Sequence, residues 1–181
     1  MEIGAQLFTL RNSCTNLTDF AETLKKVADI GYKTVQVSGV CPYEPEWLAE
    51  QLKKNDLRCV LTHTNVAADP LQTAKNHDVF DCKYAGLGYY HFDGTWETYN
   101  AFIQQYTPVC QVLKDNGKYF MYHNHNREFQ KLDGKIILGR MAEDMPADLW
   151  ASPWIPSGSS MVAAILPSGS LTWPAVFPAS I

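Results

Sequence analysis

Lys118-Tyr119-Phe120-Met121-Tyr122-His123-Asn124-His125-Asn126-Arg127-Glu128-Phe129 is the stretch on which the fold turns. Lys118 to Tyr122 reads as a short buried strand, and polar groups crowd together directly after it. His123, His125 and Glu128 place two imidazoles and a carboxylate within six residues. Such a set offers metal ligands, or a base beside a metal. On an extended chain His123 and His125 point the same way, because side chains alternate with a period of two. In a parallel barrel the chemistry collects at the C-terminal ends of the strands.

The same rhythm runs back to the start of the chain. Ile3 to Phe8, Thr34 to Val37, Leu57 to Leu61 and the weaker Tyr84 to Leu87 read as earlier strands. Between them lie helical patterns. Asn16-Leu17-Thr18 opens a helix carrying Phe20, Leu24, Val27 and Ile30, stopped by Gly31. Trp47, Leu48 and Leu52 mark a second helix, and 69–77 a short third. Trp96 to Asn116 reads as a long fourth helix, closed by Gly117, and Ile136 to Met141 as the next. Strand and helix alternate every 25–30 residues or so, the spacing of parallel βα units. No GxGxxG or GxxxxGK[ST] follows a strand, which argues against a nucleotide-binding doubly wound sheet. The expected fold is therefore α/β, a partial (β/α)8 TIM barrel of about five βα units.

A second domain-scale feature is the tail. All 15 Lys and Arg and all 19 Asp and Glu residues precede Leu149, so residues 149–181 carry no charge. Pro153, Pro156, Pro167, Pro174 and Pro178 cut the tail's apolar runs, which excludes a membrane span of roughly 20 apolar residues. A Pro/Ser linker is seldom so rich in Trp, Ile, Val and Phe. The remaining reading is translation in the wrong frame. Read from the third base of each codon, Trp150-Ala151 must give Gly, Trp154-Ile155 must give Asp, and Met161-Val162 must give Gly. The other steps permit Leu-Gly-Phe-Thr-Leu-Asp-Thr-Phe-Trp and, further on, Gly-Gly-x-Asp-Pro. The sequence thus divides into 1–148, the N-terminal part of a barrel, and 149–181, a frameshifted, non-native and disordered tail. A complete barrel of this type runs to about 250 residues.

The net charge of −4 and the absence of any Lys/Arg-rich run exclude an electrostatic footprint for nucleic acid. Five scattered cysteines without CxxC spacing read as reduced thiols, and no signal peptide follows Met1. A cytoplasmic protein without a membrane or nucleic-acid partner is expected. Candidate site residues are Gln6 and Arg11 after strand one, Gln36 and Ser38 after strand two, His63 after strand three, and His123, His125 and Glu128 after strand five. Bland alternatives stand beside them: Gln6 and Gln36 as polar fillers of a barrel mouth, His63 and Arg11 as loop residues. His77 and His91 lie away from strand ends and read as surface. Tyr89, Tyr90 and Trp96 read as packing.

Three motifs in order resemble the sugar phosphate isomerase/epimerase family, the xylose-isomerase-like TIM barrels. They are Ile3-Gly4-Ala5-Gln6-Leu7-Phe8-Thr9-Leu10-Arg11, then Ile30 to Gly39, then Tyr122-His123-Asn124-His125 with Glu128-Phe129 and Asp133-Gly134. The permitted Leu-Asp-Thr-Phe-Trp and Gly-Gly-x-Asp-Pro strings match the family's next segment. The resemblance implies a divalent metal (Mn, Mg, Co or Zn) held by two glutamates, an aspartate and a histidine. It also implies a ketose, inosose or sugar phosphate as substrate, with proton abstraction beside its carbonyl to give an enediolate. Glu128 matches the first metal glutamate and, with His123, the catalytic group. His63, His125, Gln6 and Gln36 would bind substrate. The aspartate ligand falls at Trp154-Ile155, one frame away, so the chain is expected to be inactive and to hold metal weakly or not at all. Two alternatives remain: a short non-catalytic barrel-like binding protein, and an endonuclease IV-like DNA repair enzyme.

Overall fold

Asn16 fixes where the first helix begins. Its side chain accepts the Asp19 amide at 2.9 Å, and Gly31 ends the helix at φ 112°, a left-handed value that glycine adopts freely. Between these caps α1 (Leu17–Ile30) buries Phe20, Thr23, Leu24 and Val27. Ile30, expected on the same face, is 75% exposed.

The computed structural model describes residues 3–146, 149–151, 164–165 and 171–172. Most of the tail expected to be out of frame lies outside these residues. The chain divides into two units, residues 1–86 with 116–118, and 87–115 with 119–181.

In the first unit β1 (Gly4–Gln6), β2 (Thr34–Val37), β3 (Arg58–His63) and β4 (starting at Tyr84) lie side by side in that order, all parallel. Helices α1, α2 (Pro45–Lys54) and α3 (Pro70–Val79) alternate with them. Val35, Val37, Phe20, Leu24, Leu48, Leu52 and Phe80 form one apolar core. Strand one is shorter than its apolar run. After Gln6 the chain turns into a 3-10 helix, Leu7–Ser13. The Thr9 hydroxyl donates to the Gln6 carbonyl at 2.7 Å and Arg11 to the Phe8 carbonyl at 2.8 Å. These local bonds engage carbonyls that a longer ladder would need.

A register shift in β3 decides where its last residues point. Val35 pairs with Cys59, but Gln36 pairs with Leu61, so Val60 is an extra residue. Before this bulge Cys59 faces the apolar core beside Val35. After it, Thr62 takes over that side and meets His77 of α3 at 2.8 Å. His63 is thereby turned to the side of Gln36. One inserted residue switches every later side chain to the other face.

In the second unit α4 (Trp96–Asp115) buries Tyr99, Phe102, Tyr106, Val109, Cys110 and Leu113. Phe102 is the centre of an aromatic cluster, with ring centroids 4.8 Å from Tyr106, 5.3 Å from Phe92 and 5.4 Å from Tyr122. That cluster seats β5 (Tyr119–Tyr122), whose Phe120 and Tyr122 are fully buried. A two-residue hairpin follows, β6 (Lys131–Leu132) and β7 (Lys135–Ile136). Asp133 and Gly134 turn it at φ 45° and 80°, the mirror-image turn whose twist suits a hairpin. After α5 (Ile137–Asp144), β8 (Trp150–Ala151) pairs in parallel with β5. Among the described residues no helix is long and apolar enough to cross a membrane.

Truncating Phe20 to alanine removes a wholly buried ring and should cost about 3–5 kcal/mol. Ile30→Ala should change stability by no more than about 0.5 kcal/mol. Urea unfolding of the two variants checks the contrast.

Candidate functional site

Two groups of polar residues sit at strand ends, one in each unit. In the first, Gln6 lies beside Gln36 by the β1–β2 register. The Gln36 side-chain nitrogen is 3.1 Å from His63 Nε2. Gln36 is buried, and Gln6 and His63 are half-buried. Gly86 makes this possible. A Cβ there would come within 2.6 Å of the His63 ring and 2.9 Å of the Thr62 carbonyl oxygen. Ser38 is 3% exposed, and its hydroxyl has no hydrogen-bond partner among the described residues. Arg11 is exposed, folded back over its own Phe8 ring at 4.5 Å.

The second group follows β5. The His123 amide donates to the Leu87 carbonyl at 3.0 Å, which prolongs the ordered backbone past the strand end. The His123 and His125 rings lie 4.9 Å apart, on one side as the alternation requires. Tyr89 meets His125 edge-on at 5.3 Å. Glu128 stands on a single 3-10 turn, Arg127–Phe129, and is 0% exposed. Burying a carboxylate is costly unless its oxygens are satisfied. Here Oε1 accepts the Tyr122 hydroxyl and Oε2 accepts the His125 amide at 2.8 Å. Each oxygen keeps a further acceptor site, since a carboxylate offers about four.

The electrostatics follow from this packing. Burial, reinforced by the Glu128 carboxylate, pushes the Tyr122 phenol far above its ordinary value, so it remains a donor. Burial and then the neighbouring His125 lower His123, with Glu128 opposing them. His123 is thereby favoured as neutral imidazole, the form that can accept a proton or a metal.

In kind, a carboxylate and two imidazoles suit a divalent cation. In placement they fall short. Among the described residues no group of three or more His, Cys, Asp or Glu side chains could hold a metal ion.

Sequence reasoning therefore located each strand-end residue but missed some of what positions them. Tyr122 was read as the end of the apolar run and the start of the motif, without a role of its own, and Gly86 carried no signal at all. Tyr89, read as packing, is 50% exposed and borders His125. His77, read as surface, is 2% exposed and bonded to Thr62. It sits on the inner face of α3, where a weakly amphipathic pattern hides it. His91 is exposed, as expected.

No family model matches the sequence, and no curated protein matches it. Solved structures do. A sugar phosphate isomerase/epimerase from Parabacteroides distasonis ATCC 8503 superposes with a TM-score of 0.70 at 21% identity, over 83% of this chain and 67% of its own. A xylose isomerase-like TIM barrel protein from Mycobacterium smegmatis, solved with magnesium, gives 0.68 at 11% identity over 84% and 64%. An AP endonuclease, family 2, from Brucella melitensis gives 0.56 at 14% identity over 84% and 67%. The chain thus spans 64–67% of the length of these barrels. The likeness is one of fold: α/β, a partial TIM barrel.

Tyr122→Phe leaves Glu128 Oε1 without its donor in a dry site. We expect a loss of about 1–3 kcal/mol in urea unfolding. An unchanged midpoint would mean that the phenol does not hold the carboxylate.

Proposed function

We propose that this chain is part of a metal-dependent isomerase or epimerase of a sugar, sugar phosphate or inosose that works through an enediolate, and that the 181-residue form is inactive. What supports the reading most is Glu128: a wholly buried carboxylate, aimed by two donors, beside two imidazoles at a strand end. Carboxylates are placed with such care where they exchange protons or bind cations. Glu128 is the catalytic carboxylate and first metal ligand in this reading, and neutral His123 exchanges protons beside it. Gln6, Gln36 and His63 in the first unit, and His125 in the second, are the substrate-binding residues of this reading. The divalent metal (Mn, Mg, Co or Zn) belongs to the complete barrel, where ligands on later strands join Glu128, and it would polarise the substrate carbonyl.

The fold likeness to an AP endonuclease keeps DNA repair as a second reading. The net charge of −4 weighs against it, since binding to phosphates rests on Lys and Arg. A short binding protein built on the same partial barrel is a third, and it predicts ligand binding without turnover.

The test is deuterium exchange from D2O into the carbon beside the carbonyl, followed by proton NMR with Mn2+ present. D-fructose, D-fructose 6-phosphate and an inosose serve as probes. A chain with the reading frame restored near Asp148 should exchange at least one of them, and Glu128→Gln should slow this by about 10²–10⁴-fold. The 181-residue chain should show none. Exchange by the 181-residue chain, or no open frame beyond Asp148, would contradict the proposal.

A further inference from the structure

Gln36 and His63 stand at the C-terminal ends of their strands, and the opposite end of the first unit has an opening of its own. There β3 and β4 begin while α2 and α3 end. Between them lies a cavity of about 530 Å³, inside the roughly 300–1,000 Å³ range of small-molecule sites. Its floor is apolar. Leu52, Leu57 and Phe80 reach it from the core, whereas Val60 and Val79 are 41% and 42% exposed. Val60 is the extra residue of the β3 bulge, so the register shift leaves an apolar side chain at the opening.

The rim has the opposite character. Lys53, Arg58 and Lys83 border the cavity with a single carboxylate, Asp81, in a chain whose net charge is −4. Among the described residues neither Lys53 nor Lys83 forms an ion pair. A helix C-terminus by itself favours a cation, because its last carbonyls carry partial negative charge. Here several of those carbonyls are already engaged. The Asn55 and Leu57 amides bond to the Leu52 carbonyl, and the Asp56 amide to that of Lys53. At the end of α3 the Asp81 and Cys82 amides bond to the Asp78 and His77 carbonyls. A positive rim above an apolar floor is what remains.

We propose that this cavity binds an aliphatic carboxylate, with the chain on the floor and the head group at the lysines of the rim. The chain takes Val60 and Val79 out of water, and this supplies most of the affinity. The head group meets flexible ammonium groups, which select the sign of its charge. Exposed ion pairs contribute little in water, so the rim sets preference more than strength. The site is independent of the Glu128 reading: it lies wholly in the first unit, and binding needs neither metal nor turnover.

Octanoate is titrated into the isotope-labelled 181-residue chain without metal and followed by amide shifts. Octylammonium and 1-octanol serve as probes with the same chain and a different head. Octanoate should give saturable shifts at Val60, Val79 and Lys83. Octylammonium should bind about tenfold more weakly or worse, with 1-octanol between the two. Lys53→Gln combined with Lys83→Gln, both at exposed positions, should weaken octanoate about threefold to tenfold and leave 1-octanol unchanged. The proposal is overturned if the octanoate shifts rise without saturating, or saturate only outside residues 49–84. It is equally overturned if octylammonium binds as tightly as octanoate, or if the double variant leaves octanoate affinity unchanged.

Discussion

A carboxylate without any solvent exposure must find its hydrogen bonds inside the protein, and Glu128 is such a group. Meeting that demand organises the end of strand five. Tyr122 has to present its hydroxyl, so its ring is wedged against Phe102 and Phe92. The loop has to present the His125 amide, which brings the His125 ring beside His123. The single 3-10 turn at Arg127–Phe129 then carries Glu128 back to both donors. Apolar packing under the strand and polar chemistry at its end are one arrangement seen from two sides.

The first unit solves a related problem with backbone. A parallel strand covered on both faces has few places for a polar side chain except its C-terminal end. The extra residue at Val60 turns His63 towards Gln36 and gives the helix side to Thr62, where His77 satisfies it. Gly86 on the next strand then leaves room for the imidazole. The same bulge leaves Cys59 among the core residues, so a thiol lies on one side of the sheet and an imidazole on the other.

Much of this was legible beforehand. Strands two and four were read with the bounds they have, Thr34–Val37 and Tyr84–Leu87, because turn residues punctuate both runs. The cluster at His123, His125 and Glu128 stood out because three ionisable groups follow an apolar run so closely. What stayed hidden depended on register and distance. The bulge at Val60 has no compositional mark. His77 gains its partner from Thr62, 15 residues away on another element. Tyr122 looked apolar because its ring is, while its hydroxyl does the positioning. Strand one stopped early because Thr9 and Arg11 claimed nearby carbonyls, a competition that hydropathy does not record.

The account rests on Glu128 being the carboxylate around which the chemistry is built. Anomalous diffraction from crystals of the frame-restored chain grown with Mn2+ tests this directly. The account predicts a manganese peak within about 2.0–2.3 Å of a Glu128 oxygen, with Tyr122 still donating to the carboxylate. Manganese bound at a site that excludes Glu128 would contradict it.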